Sequence, residues 1–138
     1  MSDDLRLIEA AIKARETAYT PYSGFKVGAA LMTEDGRLYT GCNIENAAYS
    51  PSVCAERTAI FKAVSTGDKK FTSIAVAGYR DGANGFAWPC GVCRQVMMEF
   101  CDPNAFWVIV SDGSGNKAFK KLAEILPEGF GPGNLSET

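Results

Sequence analysis

Two runs, Ile74-Ala75-Val76-Ala77 and Phe106-Trp107-Val108-Ile109-Val110, flank the segment Cys90-Gly91-Val92-Cys93-Arg94-Gln95-Val96-Met97-Met98-Glu99-Phe100. Each run is continuously apolar, the pattern of a strand covered on both faces, and the segment between them reads as a helix. The spacing predicts strands over residues 71–79 and 105–111 and a helix over residues 90–100. Working back toward the start, residues 54–66 form a predicted helix that stops at Gly67, with Ala59, Ile60, Ala63 and Val64 facing inward. Before it, β-rich runs at residues 25–33 and 37–43 are joined by Glu34-Asp35-Gly36, a hairpin turn. Leu5, Ile8, Ala11 and Ile12 follow the acidic Asp3 and Asp4 at helical spacing, and that helix fades near Tyr19, before Pro21. The tail offers a short strand over residues 117–120 and a turn of helix before Pro127. The order α-β-β-α-β-α-β-(β) implies a layered α/β domain with parallel segments and helices on both faces.

The chain has 138 residues, 46% of them apolar and 22% charged, with a net charge of −2. We read one domain over residues 1–138, without repeat or linker. Such a length buries roughly 68–70% of the unfolded surface, enough for a core without staples. A general polyanion binder needs a basic surplus to displace counterions from phosphates, and the chain lacks one, so no nucleic-acid partner is expected. The longest apolar stretches fall far below the roughly 20 residues of a membrane helix, and the acidic start does not read as a secretory signal. The cytoplasm is the expected compartment.

There is no histidine. Nucleophilic triads with an imidazole base are therefore excluded, as is any zinc site with a histidine ligand. The five cysteines, Cys42, Cys54, Cys90, Cys93 and Cys101, do not tile the chain as a disulfide framework. Three of them sit at predicted helix starts: Cys54 in Cys54-Ala55-Glu56, and Cys90 and Cys93 in Pro89-Cys90-Gly91-Val92-Cys93. The free N–H groups of a helix N-terminus favour the thiolate. Two such ends meeting in space could offer three sulfurs to one Zn²⁺ and leave a fourth position open to water. On its own, Cys90-x-x-Cys93 equally fits a redox pair, half of a closed zinc site, or coincidence. Cys42 and Cys101 read as small buried hydrophobes. Glu56 reads either as an acid in a first helical turn or as a carboxylate that moves protons beside an activated water.

Cys54-Ala55-Glu56 together with Pro89-Cys90-x-x-Cys93 matches the zinc-deaminase signature in its three-cysteine form. Pro21-Tyr22-Ser23-x-Phe25-x-Val27-Gly28-Ala29-Ala30-Leu31, Gly41-Cys42-Asn43-Ile44-Glu45-Asn46-Ala47-Ala48-Tyr49, Cys54-Ala55-Glu56-Arg57, Pro89-Cys90-Gly91-Val92-Cys93-Arg94-Gln95 and Leu126-Pro127-Glu128-Gly129-Phe130-Gly131-Pro132 extend the likeness over nearly the whole chain. The sequence resembles the small cytidine deaminases. The resemblance implies a three-layer α/β/α fold around a mixed, mostly five-stranded sheet. It implies zinc-dependent deamination of cytidine and 2′-deoxycytidine in pyrimidine salvage, with one Zn²⁺ per subunit on Cys54, Cys90 and Cys93 and Glu56 as the proton shuttle. It makes Arg57 the residue that offsets sulfur charge, Asn43 and Glu45 the readers of the ribose hydroxyls, and Phe25 the packing partner of the pyrimidine. Ala55 also falls among the implied substrate contacts. Family chains of this length form homotetramers with shared active sites, in which a tail phenylalanine, here Phe130, completes a neighbour's site, with Ala47 and Tyr49 near that boundary.

Arg94 could donate to sulfur like Arg57, or serve as a surface or subunit contact. A blasticidin-S-type deaminase shares the cysteine motifs, but Asn43-Ile44-Glu45-Asn46 favours a nucleoside. A nucleic-acid-editing deaminase fits the acidic composition poorly, and a structural zinc or redox module would give Glu56 no task. Gly113-Ser114-Gly115-Asn116-Lys117 lacks phosphate-loop spacing. Asp81-Gly82-Ala83-Asn84-Gly85 reads as a surface loop, and Trp88 and Trp107 as packing residues.

Overall fold

Asp3 and Asp4 in the first turn and Lys13 in the last complement the dipole of α1, Ser2–Ala14. A 3-10 turn, Arg15–Thr17, then leads the chain out of the helix. In the computed structural model, which describes residues 2–80 and 85–135, there follow β1 (Val27–Thr33), β2 (Leu38–Cys42), α2 (Ala55–Thr66), β3 (Phe71–Gly78) and α3 (Gly91–Phe100). The chain continues through β4 (Trp107–Ser111), β5 (Lys117–Lys121), α4 (Leu122–Ile125) and α5 (Pro132–Leu135). The loop expected at Asp81-Gly82-Ala83-Asn84 lies outside the described residues.

The sheet has the order β2-β1-β3-β4-β5. Only β3 and β4 run parallel, joined across α3, and every other pair is antiparallel. The mixed five-stranded sheet and its three layers match the expectation, with the parallel share reduced to this one crossover. Successive strand residues face opposite sides. Ala30, Met32, Ala75, Ala77 and Ile109 pack on Leu7, Ile8 and Ala11 of α1. Ala29, Leu31, Ile74 and Val108 pack on Ala59, Ile60 and Ala63 of α2 and on Cys93 and Met97 of α3.

Two glycines set how closely the helices lie. A Cβ on Gly28 would fall 2.0 Å from the Ala11 carbonyl oxygen of α1, and one on Gly41 would fall 2.5 Å from the Ala59 nitrogen of α2. They sit on neighbouring strands and admit helix backbone from opposite faces. The approach at Gly41 brings the first turn of α2, with its cysteine, against the sheet. Along the outer border of β2, Thr58 Oγ1 donates to the Cys42 carbonyl at 3.0 Å and Lys62 Nζ to the Thr40 carbonyl at 2.5 Å. The opposite border, β5, carries Lys117, Lys120 and Lys121.

Several boundaries differ from the sequence reading for local reasons. α2 and α3 begin at Ala55 and Gly91, because Cys54 and Cys90 are extended N-cap residues rather than helical ones. Phe25 stands outside β1: its N–H goes to Ser23 Oγ and its carbonyl to Asn43 Nδ2, so side chains take the place of a strand partner. α5 opens on Pro132, a residue suited to a first helical position, in a tail read only as rich in glycine and proline. Trp107, read as a packing residue, packs edge to face on Phe119 while staying 41% exposed. The Gly113–Lys117 stretch is the β4–β5 turn, ordered by Asp112, which accepts from Ser114 N at 2.8 Å and Asn116 Nδ2 at 2.7 Å. Among the described residues, no helix is long and apolar enough to cross a membrane.

Gly41→Ala is expected to destabilise the fold by about 1–3 kcal/mol, because helix backbone must move to admit the methyl group; urea unfolding measures it. The Asn116 side chain and the Ser114 backbone N–H hold the Asp112 carboxyl below its ordinary value of 3.8. The tie is therefore fully present above that value and is lost as pH falls beneath it through the folded-state value. Unfolding midpoints should drop at the acidic end of a pH series, and less steeply in Asp112→Asn.

Candidate active site

The N-cap and first turn of α2, Cys54 to Arg57, and the N-cap of α3, Cys90, line one cavity of about 310 Å³. Cys54, Cys90 and Cys93 bring their sulfurs within 4.8 Å of one another, Cys93 buried, Cys54 half-buried and Cys90 exposed. The Cys54 and Cys90 sulfurs are 3.6 Å apart, and Cys90 Sγ accepts the Cys93 backbone N–H at 3.5 Å. With Zn–S bonds near 2.3 Å, sulfurs on a tetrahedron stand roughly 3.8 Å apart, so the spacing and the soft donor set both fit Zn²⁺. Among the described residues, no fourth cysteine or carboxylate joins the cluster. Cys101 lies in the core at the far end of α3, and burial pushes its thiol up to about 12. Cys42, expected to be buried, is half-buried, with the Thr17 hydroxyl 3.6 Å from its sulfur.

Arg57, one turn into α2, reaches back across the cluster. Its Nε donates to Cys93 Sγ and its second terminal nitrogen to Cys54 Sγ, each at 3.4 Å. The hydrogen bond shared with Cys93 and this guanidinium lower the Cys54 thiol, whereas that shared bond and burial raise the Cys93 thiol. Arg94 turns the other way. It donates to the Pro89 carbonyl and to the Ile125 carbonyl of α4, each at 2.6 Å, which fixes the peptide leading into Cys90 and ties it to the tail. Of the two readings open for it, neither sulfur donation nor a surface contact describes these bonds: it braces backbone.

Glu56 is only 4% exposed although it lines the cavity. Burial raises its carboxyl to about 7, with its own backbone N–H offsetting and the Cys54 charge adding to the effect. A carboxyl poised there holds or releases a proton near neutral pH. Asn43, Glu45 and Ala55 line the same cavity, with Ser52, Val53, Val76 and Ala87 completing the walls. Asn43 Oδ1 accepts the Val27 N–H at 2.9 Å while its amide donates to the Phe25 carbonyl at 2.8 Å. Phe25 lies in an adjoining depression with Arg80 and Phe86, sharing Ala87 with the cavity. Phe130 stands 55% exposed, its carbonyl held by Gln95, and is no part of its own chain's cavity. Trp88, read as a packing residue, is also a cavity wall. Its position one residue before Pro89 was the available signal.

Three sulfurs spaced for one metal ion, with a buried carboxyl lining the same cavity, fit a zinc-dependent hydrolytic site. The model of the cytidine and deoxycytidylate deaminase zinc-binding region matches residues 1–109. A cytidine deaminase of Sporosarcina psychrophila is 49% identical over 131 residues, covering 95% of this chain and 93% of its own length. That of Halalkalibacterium halodurans is 46% identical over 128 residues, covering 93% and 94%. The crystal structure of cytidine deaminase from Burkholderia pseudomallei superposes with a TM-score of 0.84 at 47% identity, over 91% of this chain and 98% of that one. The chain belongs to the cytidine and deoxycytidylate deaminase family.

Metal analysis should find one zinc ion per chain. Arg94→Gln, which frees the Pro89 carbonyl, is expected to hasten zinc transfer to a chelator severalfold, whereas Cys42→Ser leaves that rate unchanged; a chromogenic chelator follows both.

Proposed function

We propose that this enzyme converts cytidine and 2′-deoxycytidine to uridine or deoxyuridine and ammonia, with Cys54, Cys90 and Cys93 holding zinc and Glu56 moving protons. The observation that carries the reading is a buried carboxyl sharing one cavity with a three-sulfur cluster. Zinc bound there supplies Lewis acidity that makes a water a competent nucleophile near neutral pH. Glu56 takes a proton from that water and delivers it to N3 of the pyrimidine as the water oxygen bonds C4. It then carries the second water proton to the amino group, the C4–N bond breaks, and ammonia leaves. Arg57 draws charge from two sulfurs, which counters the excess negative charge of a three-thiolate ligand set. The cavity walls Val27, Val76 and Trp88 keep bulk water from the base.

Asn43 and Glu45 face the ribose, and Phe25 packs against the base from the side. The Glu45 carboxylate also repels a phosphate on the sugar, so the substrate is the nucleoside rather than the nucleotide. The assembly is a homotetramer in which Phe130, exposed on its own chain, closes a neighbour's cavity. The enzyme serves pyrimidine salvage in the cytoplasm.

Glu56→Gln should retain zinc and fold yet lose turnover by about 10²–10⁴-fold, measured by the ultraviolet change on cytidine; full activity removes the proton-shuttle role. CMP is expected to give a far lower kcat/KM than cytidine. Phe130→Ala should raise KM while zinc content stays constant, and sedimentation should report tetramers.

A further inference from the structure

The carboxylate of Glu45 is already engaged by its own chain. Its Oε1 accepts the Tyr22 N–H at 3.0 Å and the Ser23 N–H at 3.1 Å, and its Oε2 accepts the Ser23 hydroxyl. These bonds hold the carboxyl below its ordinary value of 4.5, so it is ionised and acts as an acceptor only. Each carboxylate oxygen takes two hydrogen bonds. Oε1 is therefore filled, and Oε2 keeps a single open position. Ser23 Oγ, having given its proton to Oε2, accepts the Phe25 N–H at 3.0 Å. Asn43 grips the carbonyl of the same Phe25, and Arg80 donates to the Ser23 carbonyl at 3.2 Å while lying over the Phe25 ring at 5.3 Å. The sugar-facing pair and the Phe25 segment thus form one hydrogen-bonded unit with Ser23 as its joint.

We propose that Ser23 is a positioning residue for sugar recognition: it orients the Glu45 carboxylate and occupies one of its acceptor positions, leaving one for a single ribose hydroxyl. The proposal rests on the reading that Glu45 faces the ribose. Without the Ser23 hydroxyl, Oε2 loses the bond that fixes its direction, and Phe25 loses the acceptor for its N–H. The cost falls on binding, because neither group touches the atoms that react. Ser23 is itself exposed, so its replacement leaves the core untouched.

The test compares Ser23→Ala, Ser23→Thr and Glu45→Gln on cytidine, 2′-deoxycytidine, 3′-deoxycytidine and 2′,3′-dideoxycytidine, with thermal unfolding as a check on folding. Ser23→Ala is expected to raise KM for cytidine about tenfold, the scale of a hydrogen bond to a charged group, with kcat nearly unchanged. Ser23→Thr, which keeps the hydroxyl, should restore KM. The alanine penalty should vanish with the dideoxynucleoside and persist with only one of the two monodeoxy substrates. An unchanged KM, an equal penalty on all four substrates, or a penalty that persists with both monodeoxy substrates overturns the proposal. If Glu45→Gln discriminates among the sugars and Ser23→Ala does not, the positioning role alone fails. If Glu45→Gln is also indifferent to the sugar hydroxyls, the ribose assignment of Glu45 fails and takes the role of Ser23 with it.

Discussion

Everything in this fold answers to the meeting of two helix N-termini. The first turns of α2 and α3 must come close enough for three sulfurs to share a metal ion, although like partial charges at the helix ends and like charges on the thiolates oppose the approach. Opposition is overcome from two directions. The sheet draws α2 inward at Gly41, where no side chain intervenes, and the apolar faces of both helices share one core with β1, β3 and β4. Arg57 then places a guanidinium across the sulfurs. Arg94 secures the entering peptide through a carbonyl, so the arginine beside Cys93 and the arginine three residues after Cys54 do different work.

What could be read beforehand follows from the range of the interactions involved. Periodicity and turn chemistry are local, so every strand was placed within a few residues, and the stop of α2 at Gly67 with φ near +107° follows from the residue type itself. The three cysteines and Glu56 are singled out by the likeness of Cys54-Ala55-Glu56 and Pro89-Cys90-x-x-Cys93 to the zinc-deaminase signature, where spacing alone leaves redox and structural readings open. The fold gathers the three sulfurs and sets Glu56 in the cavity beside them. The direction taken by Arg94 was not legible: it depends on the Ile125 carbonyl, thirty-one positions away. Val76 from β3 and Trp88 from the stretch before α3 meet as cavity walls only in the folded chain, and Cys42 is half-buried with the Thr17 hydroxyl against its sulfur, a contact across twenty-five positions.

The segment from Tyr22 to Phe25 is similarly opaque in one dimension. Its backbone is satisfied by Glu45, Asn43 and Ser23 rather than by a strand partner, an arrangement that β-propensity cannot anticipate. On the proposed reading, the groups that would recognise the sugar also hold this framework, so the cavity is preorganised before any ligand arrives.

The two borders of the sheet carry a further consequence. Bare strand edges invite a second molecule to dock by main-chain pairing, the first step toward fibrils. On β2 that template is occupied, because Thr58 and Lys62, one helical turn apart on α2, each claim a carbonyl. On β5 the lysines make a flat approach by another strand electrostatically costly. Growth of the sheet by main-chain addition is thereby opposed at both of its borders.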